Sequence, residues 1–362
     1  MLPLQFPSHG ANYEALYQNF GINMPEQVFD LSENVNFLGA PNAVKEAWPN
    51  LLPKIQAYPH PQAEPLRSLL AQSHQVKPTQ ILVGNGAAEL LTFFAQRFAG
   101  KRVILIHPTF SEYKMTLEAA GAVIEEIIIT DIKKYTLPIQ QIKDAMNSAA
   151  CLYLCNPNNP TGSLIKRDVL KEFITHGEEV GCEILVDEAF MDWTDEEHSV
   201  ISLINQYLNV TVMRSMTKMY GIAGVRLGYL ISRVQRVQEL AKKLPHWNVN
   251  ALALAIGEIC LMDQTFREES IIKSRELKEK IEDFLINRGC EVTKSAANFL
   301  CFQLKEPSKT RDFYFYCLER GIVLRHTENY LGMNGQWLRI GMKGNRAMET
   351  FMKVMDEWHE QN

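Results

Sequence analysis

Val210-Thr211-Val212-Met213-Arg214-Ser215-Met216-Thr217-Lys218 is an apolar run that closes on a serine and, three residues later, a lysine. Gly224-Val225-Arg226-Leu227-Gly228-Tyr229 follows shortly after. The run has the length and β-branched content of a buried strand. A solitary lysine beyond such a strand reads as a solvated surface charge. This one keeps company with a serine three positions before it and an arginine eight positions after it. A ligand carrying an aldehyde and a phosphate needs an amine to condense with the aldehyde. It also needs a hydroxyl and a cation to donate to the phosphate dianion. Lys218, Ser215 and Arg226 meet those three needs.

Outward from this run, short apolar stretches alternate with helical patterns. Strands are predicted at 81–83, 103–107, 123–129, 151–155, 183–187, 210–214 and 228–231, with helices at 89–98, 111–120 and 166–180. Strands separated by helices specify an α/β architecture, a mostly parallel sheet covered on both faces. In such sheets ligands bind beyond the carboxyl ends of the strands. Four distinctive segments fall there: Gly84-Asn85-Gly86, the turn at 156–162, Asp187-Glu188 and the 215–218 segment. After about residue 287 the pattern changes to strands at 290–292, 299–302 and 337–340 with helices at 309–320 and 345–360. The expected organisation is therefore a large domain at 52–286 and a smaller α+β domain at 287–362. Residues 1–51 are expected to pack with the smaller one.

Composition limits the partners. The 362 residues are 46% hydrophobic and 22% charged, with net charge −5 and pI about 6.0, values ordinary for a globular protein. No strongly basic face is implied, so nucleic acid is not an expected partner. Met1 to Gly10 has no basic start and no long apolar run, unlike a signal peptide. No stretch approaches the ~18 apolar residues of a membrane helix. The expectation is a cytoplasmic protein without membrane attachment. Seven cysteines are scattered through apolar segments, as reduced, buried thiols are. Cys151 and Cys155 lie roughly 13 Å apart along a strand, too far to share a metal, and no metal is expected.

The remaining motifs have bland readings taken singly. Asn156-Pro157-Asn158-Asn159-Pro160-Thr161-Gly162 marks a turn. Asp187, ending an apolar strand, could be a helix cap or a metal ligand. Gly84-Asn85-Gly86-Ala87-Ala88 allows close backbone approach, and a following helix would present free N–H groups to an anion. Taken jointly, NPNNPTG, DEAF, SMTK and GVRLG occur in the order seen in the aminotransferase class I/II family of fold type I pyridoxal-phosphate enzymes, which the chain resembles over nearly its whole length. The resemblance implies pyridoxal 5′-phosphate as cofactor, with Lys218 as its Schiff-base lysine and proton carrier. It further implies that Asp187 pairs with the pyridine nitrogen and Asn159 with the phenolic oxygen. Phe110 would stack on the ring, and Gly86, Ala87, Ala88, Ser215 and Arg226 would hold the phosphate. Tyr58 would reach the phosphate of a neighbouring subunit in a homodimer with shared sites, and Arg339 would bind the substrate carboxylate. Two positions depart from the pattern. Ala87 and Ala88 stand where a hydroxyl or acid is common, and Phe190 stands where a tyrosine is common.

Within the family two groups resemble this chain, the threonine-phosphate decarboxylases of cobalamin synthesis and the histidinol-phosphate aminotransferases. Ser8-His9-Gly10-Ala11-Asn12, Asp187-Glu188-Ala189-Phe190, Trp247-Asn248-Val249-Asn250-Ala251-Leu252-Ala253 and Asn329-Tyr330-Leu331-Gly332 resemble the first group. Gly221-Ile222-Ala223-Gly224 is closer to the second. Both imply a small phosphorylated amino acid or amine as substrate, with Arg325 and Arg339 as its anion pocket. His9, Asn34 and Asn36 would close over it, and Asn159 would face it. The leading expectation is decarboxylation of O-phospho-L-threonine to an aminopropanol phosphate; the alternative is transamination of histidinol phosphate or an aromatic amino acid. A non-catalytic regulator that binds the cofactor is a third possibility. The complete set of Ser215, Lys218, Asp187 and Arg226 argues against it, as does the lack of a helix-turn-helix module.

Overall fold

The computed structural model describes Phe6 and residues 10–361. Its centre is a seven-stranded sheet of β1 (Ile81–Gly84), β2 (Arg102–His107), β3 (Val123–Ile128), β4 (Cys151–Cys155), β5 (Glu183–Asp187), β6 (Val210–Ser215) and β7 (Gly228–Ser232). The order is β1-β7-β6-β5-β4-β2-β3, and only β7 runs antiparallel to its neighbours. Every residue of β4, β6 and β7 is buried. That explains why these strands read as continuous apolar runs rather than alternating ones.

Register decides where the chemistry falls. Cys155 pairs with Asp187 and Asp187 with Met213, so Asp187 and Ser215 leave the sheet almost level. The antiparallel β7 then sets Gly228 opposite both Ser215 and Gly84. A Cβ on Gly228 would meet the Ala87 nitrogen at 2.5 Å. This close approach lets the helix α1 (Ala87–Ala95) begin directly beside the ends of β6 and β7. The helices α2 (Ser111–Ala119) and α3 (Arg167–Val180) follow β2 and β4. The short helix α4 (Met216–Met219) carries Lys218 off the end of β6.

A second sheet, antiparallel, runs in the order Arg325–His326, Leu338–Gly341, Phe299–Gln303, Glu291–Val292. Its core of Leu300, Phe302, Phe313, Leu338, Ile340 and Phe351 also takes in Leu16, Tyr17 and Leu31 from the N-terminal segment. Tyr17 Oη donates to the Leu318 carbonyl at 2.6 Å, and Phe29–Asp30 pairs in parallel with Ile322–Val323. Two segments depart from the expected boundaries. The helix Asn42–Leu51 buries Val44 and Leu51 in the core of the large sheet rather than the small one. The long helix α5 (Gln264–Asn287) places Leu277, Ile281 and Leu285 in the small-sheet core. No described helix is long and apolar enough to cross a membrane. All seven cysteines are free and buried.

Candidate active site

A cavity of about 340 Å³ opens where β4, β5 and β6 end, between the two sheets. Ala87, Ala88, Phe110, Asn159, Asp187, Ser215, Lys218 and Arg226 line it, and so do Asn34, Arg325 and Arg339. Gly86 lies just behind this wall as the N-cap of α1, at φ 81°. A Cβ there would stand 2.8 Å from Arg226 Nη2, so glycine is what lets the guanidinium close over the turn. Arg226 itself holds a left-handed φ of 61°, rare for a non-glycine residue, and its Nη1 donates to the Ala223 carbonyl at 3.1 Å. The turn is tied further by Glu89, whose Oε2 accepts from the Asn85 amide at 2.8 Å and from Asn248 Nδ2 at 2.9 Å. With Ala87 and Ala88 lacking side-chain donors, the cradle consists of free amides at the start of α1, the Ser215 hydroxyl and Arg226. Such an arrangement suits a phosphate.

At the opposite end Asp187 is buried. Tyr113 Oη donates to Asp187 Oδ2 at 2.7 Å and the Ala189 amide to Oδ1 at 3.0 Å. Burial pushes the Asp187 carboxyl above its ordinary value, against those hydrogen bonds and the nearby Lys218 charge. A protonated ring nitrogen beside it would restore the balance. Between the two ends, burial and then Arg339 push the Lys218 amine down to about 8, with Glu33 pulling the other way. A lysine so depressed is a competent nucleophile near neutral pH. The Tyr113 residue escaped the sequence reading. Its signal was its place in the first turn after Phe110, the N-cap of α2, whose ring it meets edge-on at 5.6 Å.

The substrate side draws on the small sheet. Arg339 Nη1 donates to Asn159 Oδ1 at 2.5 Å and Nη2 to the Ser32 carbonyl at 2.6 Å. Its buried Nε has no partner among the described residues. With Oδ1 occupied, the Asn159 amide nitrogen is left to donate. The buried Arg325 lies against His326 and donates to Asn329 Oδ1 at 2.9 Å, with its guanidinium 5.2 Å from the Tyr330 ring centre. Asn34 lines the cavity with its Oδ1 unpartnered among the described residues.

Two expected residues fall elsewhere. Asn36 is a correction: its amide bonds Met219 O and Ser270 Oγ, both at 2.7 Å, and accepts from Leu38 N, so it braces the loop and does not line the cavity. Tyr58 is 80% exposed, outside the cavity, and stacks on Trp247 at 4.6 Å. His9 lies outside the described residues.

The donors thus fit pyridoxal phosphate at both ends and at the amine. The family model for aminotransferase class I and II matches residues 26–354. Threonine-phosphate decarboxylase of Salmonella typhimurium is 29% identical over 350 residues, 96% of this chain and 95% of that one. Histidinol-phosphate aminotransferase of Methanococcus aeolicus is 26% identical over 356 residues, 96% and 94% of the two chains. The histidinol-phosphate aminotransferase of Sinorhizobium meliloti, solved with pyridoxal-5′-phosphate, superposes with a TM-score of 0.86 at 22% identity, over 99% of this chain and 98% of that one. Matched over nearly its whole length, the chain belongs to the aminotransferase class I and II family of enzymes, whose cofactor is pyridoxal 5′-phosphate.

Proposed function

We propose that the enzyme acts on a phosphorylated amino acid or amine, with decarboxylation of O-phospho-L-threonine to an aminopropanol phosphate and CO₂ as the leading reaction. The observation that carries this reading is a count of guanidinia. Arg226 stands at the cofactor phosphate cradle, and Arg339, with an unpartnered Nε, suits a substrate carboxylate. Arg325 lines the same cavity as a third, buried cation. A phosphorylated amino acid carries two anions, a carboxylate and a phosphate, and Arg339 and Arg325 are two guanidinia of the same wall that could donate to them. The decarboxylase-like segments of the sequence and the Salmonella relative favour CO₂ loss. The Gly221-Ile222-Ala223-Gly224 segment favours the runner-up, transamination of a histidinol-phosphate-type donor.

When bound, pyridoxal phosphate supplies an electron sink conjugated to the substrate α-carbon. The chain's residues do the rest. The Ala87 and Ala88 amides, Ser215 and Arg226 would anchor the phosphate, and Phe110 would cover the ring face. Asp187 would accept from the ring N–H, held in place by Tyr113. Asn159 would donate its amide to the ring oxygen while Arg339 fixes its orientation. Lys218 Nζ would carry the proton to or from the α-carbon. Which bond of the α-carbon would break depends on the pose that Arg339 and Arg325 impose on the substrate: one pose would release the carboxylate as CO₂, and the other would present the Cα–H for Lys218 to take its proton.

We further infer a homodimer. Trp48, Leu52, Ile55, Tyr58 and Trp247 are all exposed, and Tyr58 stacks on Trp247; a second copy would cover these side chains, and by the family resemblance Tyr58 would serve that copy's site.

The deciding experiment is CO₂ release from O-phospho-L-threonine by the holoenzyme with no oxo acid present. Sustained release over many turnovers supports the decarboxylase. A single stoichiometric bleaching of the cofactor spectrum without CO₂ would mean that an amino group was transferred and stranded, and would move the assignment to the aminotransferase.

A further inference from the structure

Glu33 is a carboxylate of the cavity wall that nothing above has used. It sits on a strap, residues 31–36, bonded on one side to the small sheet and on the other to the lysine helix. The Gly341 amide donates to Leu31 O at 2.8 Å, Asn298 Nδ2 to Asn34 O at 2.9 Å and Arg339 Nη2 to Ser32 O at 2.6 Å. The Asn36 amide donates to the Lys218 carbonyl at 3.0 Å, and its side chain to Met219 O at 2.7 Å. The backbone carrying Glu33 is thereby fixed against both Arg339 and Lys218. A Cβ on Gly341 would meet the Glu33 carbonyl at 2.0 Å, so the strap and the strand are in contact there. Glu33 is a residue of the cavity wall, and its Oε2 meets Lys343 Nζ at 3.2 Å.

The charges facing Lys218 come from four elements: Arg339 from the small sheet, Arg226 from the loop before β7, Asp187 from β5 and Glu33 from the strap. Glu33 itself is faced by Lys343 and by Asp30. The two carboxylates of the wall are Asp187 and Glu33, and Asp187 is already committed to Tyr113 and the Ala189 amide. It is also the group placed for the ring nitrogen. Phe190, on the same wall, offers no polar atom. Among the described wall residues, Glu33 is the remaining anion able to favour a positive charge on the lysine nitrogen.

We propose that Glu33 is a positioning residue that holds the proton on the Lys218 nitrogen, with Lys343 setting how much of its charge is felt. The proposal deepens the cofactor reading of the cavity and rests on it. Its consequence is that the nitrogen joining Lys218 to the cofactor keeps its proton to higher pH than the arginine-rich surroundings alone would permit, and so remains open to attack by an incoming amine.

The test is a pH titration of the visible absorption of the holoenzyme, which reports protonation at that nitrogen. Glu33→Gln is expected to lower the midpoint by about one pH unit, the scale of a partly screened opposite charge. Lys343→Met is expected to raise it, because the carboxylate is then uncompensated. Glu33→Asp is expected to restore most of the wild-type value. Were Glu33 only a brace for the strap, both variants would break one contact and thermal stability would fall without opposed shifts. An unmoved midpoint in Glu33→Gln, or shifts of the same sign in both variants, overturns the proposal while leaving the cofactor reading intact. An imine band with the wild-type pH midpoint that survives Lys218→Ala overturns both.

Discussion

The contact between Tyr113 and Asp187 shows what single side chains decide here. In the role proposed for it Asp187 would stay ionised beside a ring nitrogen, yet burial favours its neutral form. The Tyr113 hydroxyl offsets this from a position where burial holds the phenol well above its ordinary value, so it donates and does not ionise. Hydrogen bonds to charged groups contribute ~1.5–3 kcal/mol. Tyr113→Phe should therefore weaken cofactor binding roughly 10–100-fold, measured by equilibrium titration of the apoenzyme; unchanged affinity would show that the Ala189 amide suffices. Lys218 gives a second prediction, with a sign. Only the neutral amine attacks an aldehyde, and its folded value lies near 8, below the ordinary lysine range. Cofactor uptake by the apoenzyme should accelerate about tenfold per unit as pH rises toward 8 and level off above it. A rate still climbing steeply beyond pH 9 would mean that the amine is not depressed. Lys218→Ala should abolish both turnover and the visible band.

At the scale of elements, the start of α1 is where backbone replaces side chain. Gly86, at φ 81°, lets Arg226 close over the turn, and a Cβ would press on Nη2 at 2.8 Å. Gly86→Ala should cost ~1–3 kcal/mol of strain and appear as weaker retention of cofactor, read by dialysis, with the Tm little changed; equal losses in both would place the damage in the fold. This turn also shows how far the sequence could be read. The strands β4 and β5 stood out because burial on both faces left unbroken apolar runs, and their ends brought Asp187 and the 156–162 turn into view. The predicted helix at 89–98 starts two residues earlier, at Ala87, since nothing in an Ala-Ala pair signals a helix start. The 24-residue α5 was not anticipated: it serves two cores in succession and so lacks one consistent apolar stripe. Asn36 and Asn34 are the same residue type two positions apart. Only the fold shows that one amide is consumed by Met219 and Ser270 while the other faces the cavity.

At the scale of the whole molecule, the proposed dimer would complete each site from two subunits. Tyr58 is 80% exposed and stacked on Trp247, outside its own cavity, with Leu52 and Ile55 exposed beside it in sequence. In the proposed dimer it leaves its own subunit to donate to the phosphate bound by the other. Tyr58→Ala should then weaken cofactor binding by about tenfold or more, the scale of one hydrogen bond to a charged group, although the residue lies outside its own cavity. Leu52→Glu with Ile55→Glu should do the same indirectly, by dissociating the dimer, and their effect should fade as protein concentration rises. The sharper test mixes two impaired forms at a cofactor concentration that leaves the Tyr58→Ala sites largely empty. A subunit with Lys218→Ala keeps Tyr58, and a subunit with Tyr58→Ala keeps Lys218. In a purified heterodimer of the two, one site receives both residues and the other receives neither. Cofactor binding and turnover should return in one of the two sites if Tyr58 acts across the interface. If it acts within its own subunit, each site lacks one residue and the heterodimer is no better than its parents. Recovery to half the wild-type sites therefore assigns Tyr58 to the partner's phosphate, and no recovery leaves it a surface aromatic held by Trp247.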